Sequence, residues 1–197
     1  MTGTSSGVIY LDLDRQWTGE AGNWQYADDL KRIMAPYDKN GQLGNTIGDI
    51  GAGESPISFS LTSPQRLVLF DVSGVILPLD KQGKEVIKIH ANIEDMISAG
   101  NLGSAQQYAP FDTFVDSNIF SYLDNWRGLL SLQAANHRNG GYLFTATLLN
   151  QGDLVQLLSQ DCPKLHREIL DAIVARGYEI EKHSEDGELS VIVARRI

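Results

Sequence analysis

Cysteine is nearly absent. Cys162 is the one cysteine in 197 residues, so no intrachain disulfide and no cysteine-based zinc cluster can form, a usage that suits a reducing compartment. Long apolar runs are missing as well. The longest clean one, Leu67 to Phe70, stops at Asp71, far short of the ~20 residues a membrane span needs. The N-terminal stretch MTGTSSGVIYLDLD precedes the first basic residue, Arg15, and carries no sustained apolar segment, so no signal peptide is expected and the cytoplasm is the expected location. Basic residues are in deficit, 16 Lys and Arg against 25 Asp and Glu for a net charge of −9. That balance repels phosphate backbones and argues against nucleic acid or membrane as a partner. No His, Cys, Asp or Glu residues recur at metal-ligand spacing, so no metal is expected.

The remainder reads as one globular unit, long enough to bury about 70% of the surface its unfolded chain exposes. Strand-like and helix-like segments alternate. Asn45 to Ile50, Leu67 to Phe70, Val86 to His90, Thr113 to Asp116 and Tyr142 to Leu148 are short and rich in β-branched and aromatic residues, and several are apolar on both faces, as buried parallel strands are. Helical spacing marks residues 24 to 37, with Pro36 expected to end the helix early. It recurs over 121 to 136, with Asn139-Gly140 as the stop, and over Leu165 to Arg176, with Gly177 at the C-cap. Tyr178 to Lys182 and Leu189 to Ala194 flank the turn Ser184-Glu185-Asp186-Gly187, which makes the last two strands a hairpin and one of them antiparallel. The sum is an α/β fold with a mostly parallel sheet covered on both faces.

The strongest chemical signal is Asp49-Ile50-Gly51-Ala52-Gly53-Glu54-Ser55. It follows a strand and opens a short helix, the setting in which glycines bring a ligand against bare backbone. Asp71 ends the next strand 18 residues after Gly53, where a carboxylate can accept from both hydroxyls of a ribose. Asn92-Ile93-Glu94-Asp95 puts polar groups at the same end of the sheet. Blander readings stand beside each: the glycines as an ordinary tight turn, Asp71 as a turn acid, Asn92 as a helix cap. His137 is expected in a loop at the far end of the sheet and His166 on a solvated helix face. His90 and His183 end strands on the crevice side, where a lone histidine is more often structural than catalytic.

In order and spacing, GDIGAGES, LVLFDVS, HANIEDM, FDTFVDSNIFSYL, NHRNGGYLFTATLLN and ILDAIVARGYEIEKHSEDGELSVIVARRI resemble the successive motifs of class I S-adenosylmethionine-dependent methyltransferases. The resemblance covers about residues 45 to 197. It implies a Rossmann-like, mostly parallel seven-stranded sheet with helices on both faces and a C-terminal antiparallel hairpin strand. It also implies a cofactor-binding domain over 45–197, preceded by an N-terminal helical segment, 1–44, that can serve as a lid. The cofactor implied is S-adenosylmethionine, leaving S-adenosylhomocysteine as product. Asp49, Gly51, Ala52 and Gly53 would form the turn around its methionine part, Asp71 would hold the ribose hydroxyls and Val72 would pack on adenine. Asn92, where the family more often has Asp, and the backbone of Ile93 would read the adenine edge. Ser117 and Asn118 would lie beside the amino acid end and the transferred methyl.

Two departures from the family pattern stand out. Ser55-Pro56 replaces the third glycine of the first motif, and the crossover from Asp71 to Val86, broken by Pro78, Asp80 and Gly83, leaves its usual helix short or absent. Methyl transfer from an activated sulfonium needs positioning more than side-chain chemistry, so no catalytic residue is assigned. His183 and Tyr122 are the candidates. Trp17, Trp24, Tyr26, Tyr122 and Asn150 are candidates for acceptor binding, the first three in a lid or, alternatively, packed on the sheet. An acidic chain with no large insertion fits a small-molecule acceptor and a monomer or homodimer. The alternatives are a protein of this fold that binds the cofactor without transferring methyl, as a sensor or a cyclase or decarboxylase scaffold; a protein or RNA methyltransferase; and a nicotinamide-dependent oxidoreductase.

Overall fold

The computed structural model describes residues 25–53, 56–72, 80–81, 83–120, 123–148, 162–186 and 189–197. Helix α1, Gln25–Lys39, precedes strand β1, Thr46–Ile50, and a short 3-10 turn, Ile57–Ser60, leads to β2, Arg66–Asp71. The two-residue β3, Asp80–Lys81, then β4, Lys84–His90, α2, Ile93–Ala99, and β5, Phe111–Ser117, follow. The chain closes with α3, Trp126–Asn136, β6, His137–Leu148, α4, Cys162–Val174, β7, Tyr178–Asp186, and β8, Leu189–Arg196.

The strands form one sheet in the order β3-β4-β2-β1-β5-β6-β8-β7. β4, β2, β1, β5 and β6 are mutually parallel, and β8 is antiparallel to both β6 and β7. This is the expected seven-stranded sheet with its terminal hairpin, extended by β3 on one edge. The crossover from β2 to β4 carries β3, paired antiparallel to β4; residues 73–79, where a helix is expected to be short or absent, lie outside the described residues.

Period-two alternation explains the layering. Val68 and Phe70 of β2 join Ile50, Phe114 and Leu143 under α2, α3 and α4, which contribute Met96, Leu129 and Ile173. Leu67 and Leu69 point the other way, with Ile47, Val115 and Phe144, under α1 and the 3-10 turn, which contribute Leu30, Met34 and Ile57. Both faces of the inner strands are therefore apolar, as buried parallel strands require.

Four expectations need correction. Pro36 does not end α1, which runs to Lys39. So late in a helix the missing N–H removes one ladder bond, while the Pro36 carbonyl still accepts from the Asn40 N–H at 3.2 Å and burial of Met34 and Tyr37 holds the last turn in place. Nor is α1 a detachable lid, since Leu30 and Met34 are fully buried in the sheet's own core; residues 1–24 lie outside the described residues. Asn139-Gly140 is not a helix stop. Helix α3 passes straight into β6, and the pair lies in a bulge: β5 advances from Phe111 to Thr113 while β6 advances from His137 to Tyr142, with Gly140 at φ +82°. Finally, the first residue of β6 is His137, which is buried rather than in a loop.

A second bulge shapes the far edge. Ile180 pairs with Ala194 and Lys182 with Val193, so Glu181 is an extra residue and both Glu181 and Lys182 reach the face that carries α1. The Tyr37 hydroxyl donates to Glu181 Oε2 at 3.1 Å, and Lys182 Nζ lies 5.2 Å from the Tyr37 ring centre.

Candidate functional site

The carboxyl ends of β4, β2, β1 and β5 lie side by side, the place where open α/β sheets bind ligands. Along that row stand Asn92 and Ile93 after β4, Asp71 and Val72 at the end of β2, Asp49 to Gly53 around the end of β1, and Ser117 and Asn118 at the end of β5. Three strand spacings of about 4.8 Å separate the outer members, roughly 14 Å in all. An elongated ligand fits that length.

The turn after β1 is built against β2. The Gly51 and Ala52 N–H groups both donate to the Phe70 carbonyl, at 2.8 and 3.1 Å, and the Gly53 N–H donates to Asp71 Oδ2 at 2.6 Å. Such a turn needs φ of +70° at Gly51 and +58° at Gly53, which only glycine adopts without strain. A Cβ on Gly53 would meet none of the described residues within 4 Å, so its bare backbone is uncovered among them.

Beneath the turn, Asp49 is fully buried. Its Oδ2 accepts from the Ser58 N–H at 3.1 Å, while Oδ1 has no hydrogen-bond partner among the described residues. Burial is the main cause that pushes its carboxyl up to about 6, the hydrogen bond from the Ser58 N–H working against it. Asn92 caps α2, its Oδ1 accepting from the Glu94 N–H at 2.9 Å, so the capping role is real; a second lone pair on the same oxygen remains for another donor. Ile93 is buried, and Val72 and Ser117 are half-buried. Asn118 sits at φ +57° and donates its N–H to the Ala146 carbonyl at 2.6 Å. That αL residue turns the chain away from β5.

The row holds a residue that sequence reasoning passed over. Asp116, fully buried near the end of β5, accepts from Gln133 Nε2 of α3 at 2.7 Å, and its Oδ2 has no partner among the described residues. Burial is the main cause holding its carboxyl well above the usual range, with the neighbouring Asp49 adding to it. An Asp inside the apolar run FDTFVDS was the available signal.

The histidines are distributed differently from expectation. His166 is buried rather than solvated, its Nδ1 hydrogen-bonded to Ser190 Oγ, because its face of α4 lies on the sheet. His137 shares a hydrogen bond of 2.8 Å with the Tyr178 hydroxyl, and burial lowers it to about 4. His183 is level with Asp116 and Thr145 in the register, but β7 stands four strands from β1, about 19 Å away. The candidate catalytic His183 is thus on the wrong edge to meet the turn. His90 is exposed beside Asp71. Trp17, Trp24, Tyr122 and Asn150 lie outside the described residues, as does the side chain of Tyr26. No helix among the described residues is long and apolar enough to cross a membrane.

No protein-family model matches the chain, and no curated protein sequence does. Solved structures do match. The N-methyltransferase NodS from Bradyrhizobium japonicum WM9, in complex with S-adenosylhomocysteine, aligns with a TM-score of 0.66 at 10% identity, over 95% of this chain and 97% of that one. A 1,6-didemethyltoxoflavin-N1-methyltransferase from Burkholderia thailandensis, with 1,6-didemethyltoxoflavin and S-adenosylhomocysteine bound, aligns with a TM-score of 0.66 at 12% identity, over 100% and 92%. A TehB-like S-adenosylmethionine-dependent methyltransferase from Corynebacterium glutamicum gives 0.59 at 17%, over 99% and 100%. The likeness is one of fold, and it spans the whole of each molecule.

Proposed function

We propose that this chain, which has the fold of class I S-adenosylmethionine-dependent methyltransferases, transfers a methyl group from S-adenosylmethionine to a small-molecule acceptor. The observation that carries the reading is the glycine turn bonded to Asp71 through the Gly53 N–H, with no described residue within 4 Å of where a Gly53 Cβ would stand. The residues present suit the cofactor. Gly51, Ala52 and Gly53 offer bare backbone to its methionine part, with Asp49 beneath. Asp71 accepts from ribose hydroxyls, Val72 packs on the adenine, and Asn92 with the Ile93 backbone reads the adenine edge. Ser117 and Asn118 border the amino acid arm and the methyl.

Bound there, the cofactor supplies a methyl already activated on a sulfonium, leaving S-adenosylhomocysteine. The protein's task is alignment. Holding donor and acceptor in line is worth up to ~7–11 kcal/mol in well-oriented systems, and a base is needed only where the acceptor must lose a proton. With His183 at the far edge, Tyr122 is the remaining side-chain candidate for that role. Trp17, Trp24, Tyr26, Tyr122 and Asn150 are assigned to the acceptor side. The lid role passes to residues 1–24, ahead of α1. The small-molecule assignment draws on the toxoflavin-type acceptor bound in one structural neighbour.

A thermal-shift panel tests the cofactor. S-adenosylhomocysteine at 100 times its dissociation constant should stabilise the fold by ~2.7 kcal/mol. A shift with NAD and none with either sulfur nucleoside would sink the reading. Removing residues 1–24 should then weaken cofactor binding modestly and abolish transfer, because an open site admits water and loses the acceptor's orientation.

A further inference from the structure

Asp49 and Asp116 lie on adjacent strands. The register sets Asp49 beside Val115 and Asp116 beside Ile50, so the two are one residue apart and project to opposite faces. Each is fully buried and has one bonded oxygen, to the Ser58 N–H and to Gln133 Nε2 respectively. The other oxygen of each, Asp49 Oδ1 and Asp116 Oδ2, is buried with no hydrogen-bond partner among the described residues. Thr145 Oγ1 on β6 and Gln133 Oε1 on α3, beside Asp116, are in the same condition. The ionisable group on β2 that bears on Asp49 is Asp71, the one on β1 that bears on Asp116 is Asp49, and Tyr178 of β7 feels Asp116 in turn. All of these are acids or a phenol, and no cation among the described residues forms an ion pair with Asp49 or Asp116.

Carboxylates removed from water without a cation keep a proton instead. A positive charge arriving from outside reverses that balance. Resting on the cofactor reading above, we propose that Asp49 and Asp116 form a charge-reading floor to the crevice: a ligand that brings positive charge over the ends of β1 and β5 binds with release of a proton from the pair, so the sulfonium donor is held more tightly than its neutral thioether product as pH rises. The proton goes to solvent and no other bond changes. Methyl transfer removes the sulfonium charge, the floor takes its proton back, and the hold on the product loosens. Asp116 is in this account a specificity-determining residue that acts through Asp49.

Titration calorimetry near pH 6, in two buffers of different protonation enthalpy, tests the floor with S-adenosylmethionine and S-adenosylhomocysteine as probes. With Asp49 at about 6, the donor should release up to about half a proton and its affinity should rise about threefold per pH unit there; the product, which has the ammonium but no sulfonium, should release less. Asp49→Asn should abolish the release near pH 6. Asp116→Asn, an isostere of the neutral acid, should keep the fold and narrow the preference for donor over product above pH 7. If Asp49→Asn fails to fold, the wild-type proton count still decides. Equal release with both ligands, or none with either while both bind, overturns the floor and leaves the cofactor reading intact. Absence of binding by both ligands sinks the two together.

Discussion

The two ends of the sheet treat buried carboxyls in opposite ways. At the amino ends of the parallel strands, Asp38 accepts from the N–H and hydroxyl of both Thr62 and Ser63 at 2.7–2.8 Å. Nearby, Asp112 accepts from the Asn45 and Thr46 N–H groups at 2.9 and 3.0 Å and pairs with Arg138 at 2.9 Å. At the carboxyl ends, Asp49 and Asp116 each have one oxygen without a partner among the described residues. The saturated pair ties elements together: α1 to the segment before β2, and the start of β1 to β5. The undersupplied pair adds little to stability and leaves bonding capacity where a ligand would sit, the distribution expected when local satisfaction is given up at a functional site.

Substitutions can sharpen that contrast or break it. The largest effect is expected at Asp112, where Ala would strand the two N–H groups that open β1. Loss of about 3 kcal/mol, or a melting temperature roughly 10 °C lower for a chain of this size, should leave affinity for S-adenosylhomocysteine intact; Arg138 is more than half exposed and adds little. At the other end the pattern should invert. Asp71→Ala should weaken S-adenosylhomocysteine by ~1.5–3 kcal/mol, read by calorimetry, with little change in melting. Unfolding, or wild-type affinity, would remove Asp71 from the site.

The pH responses of the two ends should also oppose. His137 has a folded value near 4 against about 6.5 unfolded, so its contribution is complete above 6.5 and is lost as pH falls towards 4. Asp38, lowered by its bonds to Ser63 and Thr62 although burial pulls the other way, adds a further loss at still lower pH. Denaturant melts from pH 7 to 4.5 should show the first decline in wild type and a flatter course in His137→Gln. Asp49 has the reverse sign: its folded value is raised, so its contribution is present below about 3.8 and is lost as pH rises through about 6. The last prediction follows from the same rule. Asp116→Asn should match wild type at pH 4 and melt higher than wild type at pH 8, and a lower melting point at pH 8 would mean that Asp116 is ionised and paired after all.

Much of the frame was legible because it is written in local periodicity. The strands from Asn45 to Ile50 and from Leu67 to Phe70, the Gly177 C-cap and the hairpin after it all follow from alternation and turn chemistry. The glycine turn and Asp71 were legible for the same reason: a strand, a turn and an acid at the next strand end follow one another in the stretch from Asn45 to Asp71. What escaped depends on partners distant in sequence. Nothing near Pro36 announces that Tyr37 will be pinned by Glu181, and nothing near Asn139-Gly140 announces a bulge set by pairing with Phe111 and Thr113. His166 was expected on a solvated face and His137 in a loop, and Asp116 drew no reading as a site residue. Each is buried by a helix or strand from elsewhere, and its charge state follows from that burial.

The short strand β3 bears on how the molecule behaves in company. β4 is nowhere fully buried, while Leu67 to Phe70 of its neighbour are, and its far side would present a row of unpaired backbone groups to any passing chain. β3 occupies the start of that row, pairing Asp80 with Glu85 and Lys81 with Lys84, and the strand sequence there, KEVIKIH, intersperses charged with apolar residues. Among the described residues β3 thereby covers the start of this edge, and the charges on β4 oppose edge-to-edge pairing there, a protection that matters most while a parallel sheet, slow to assemble, is still folding.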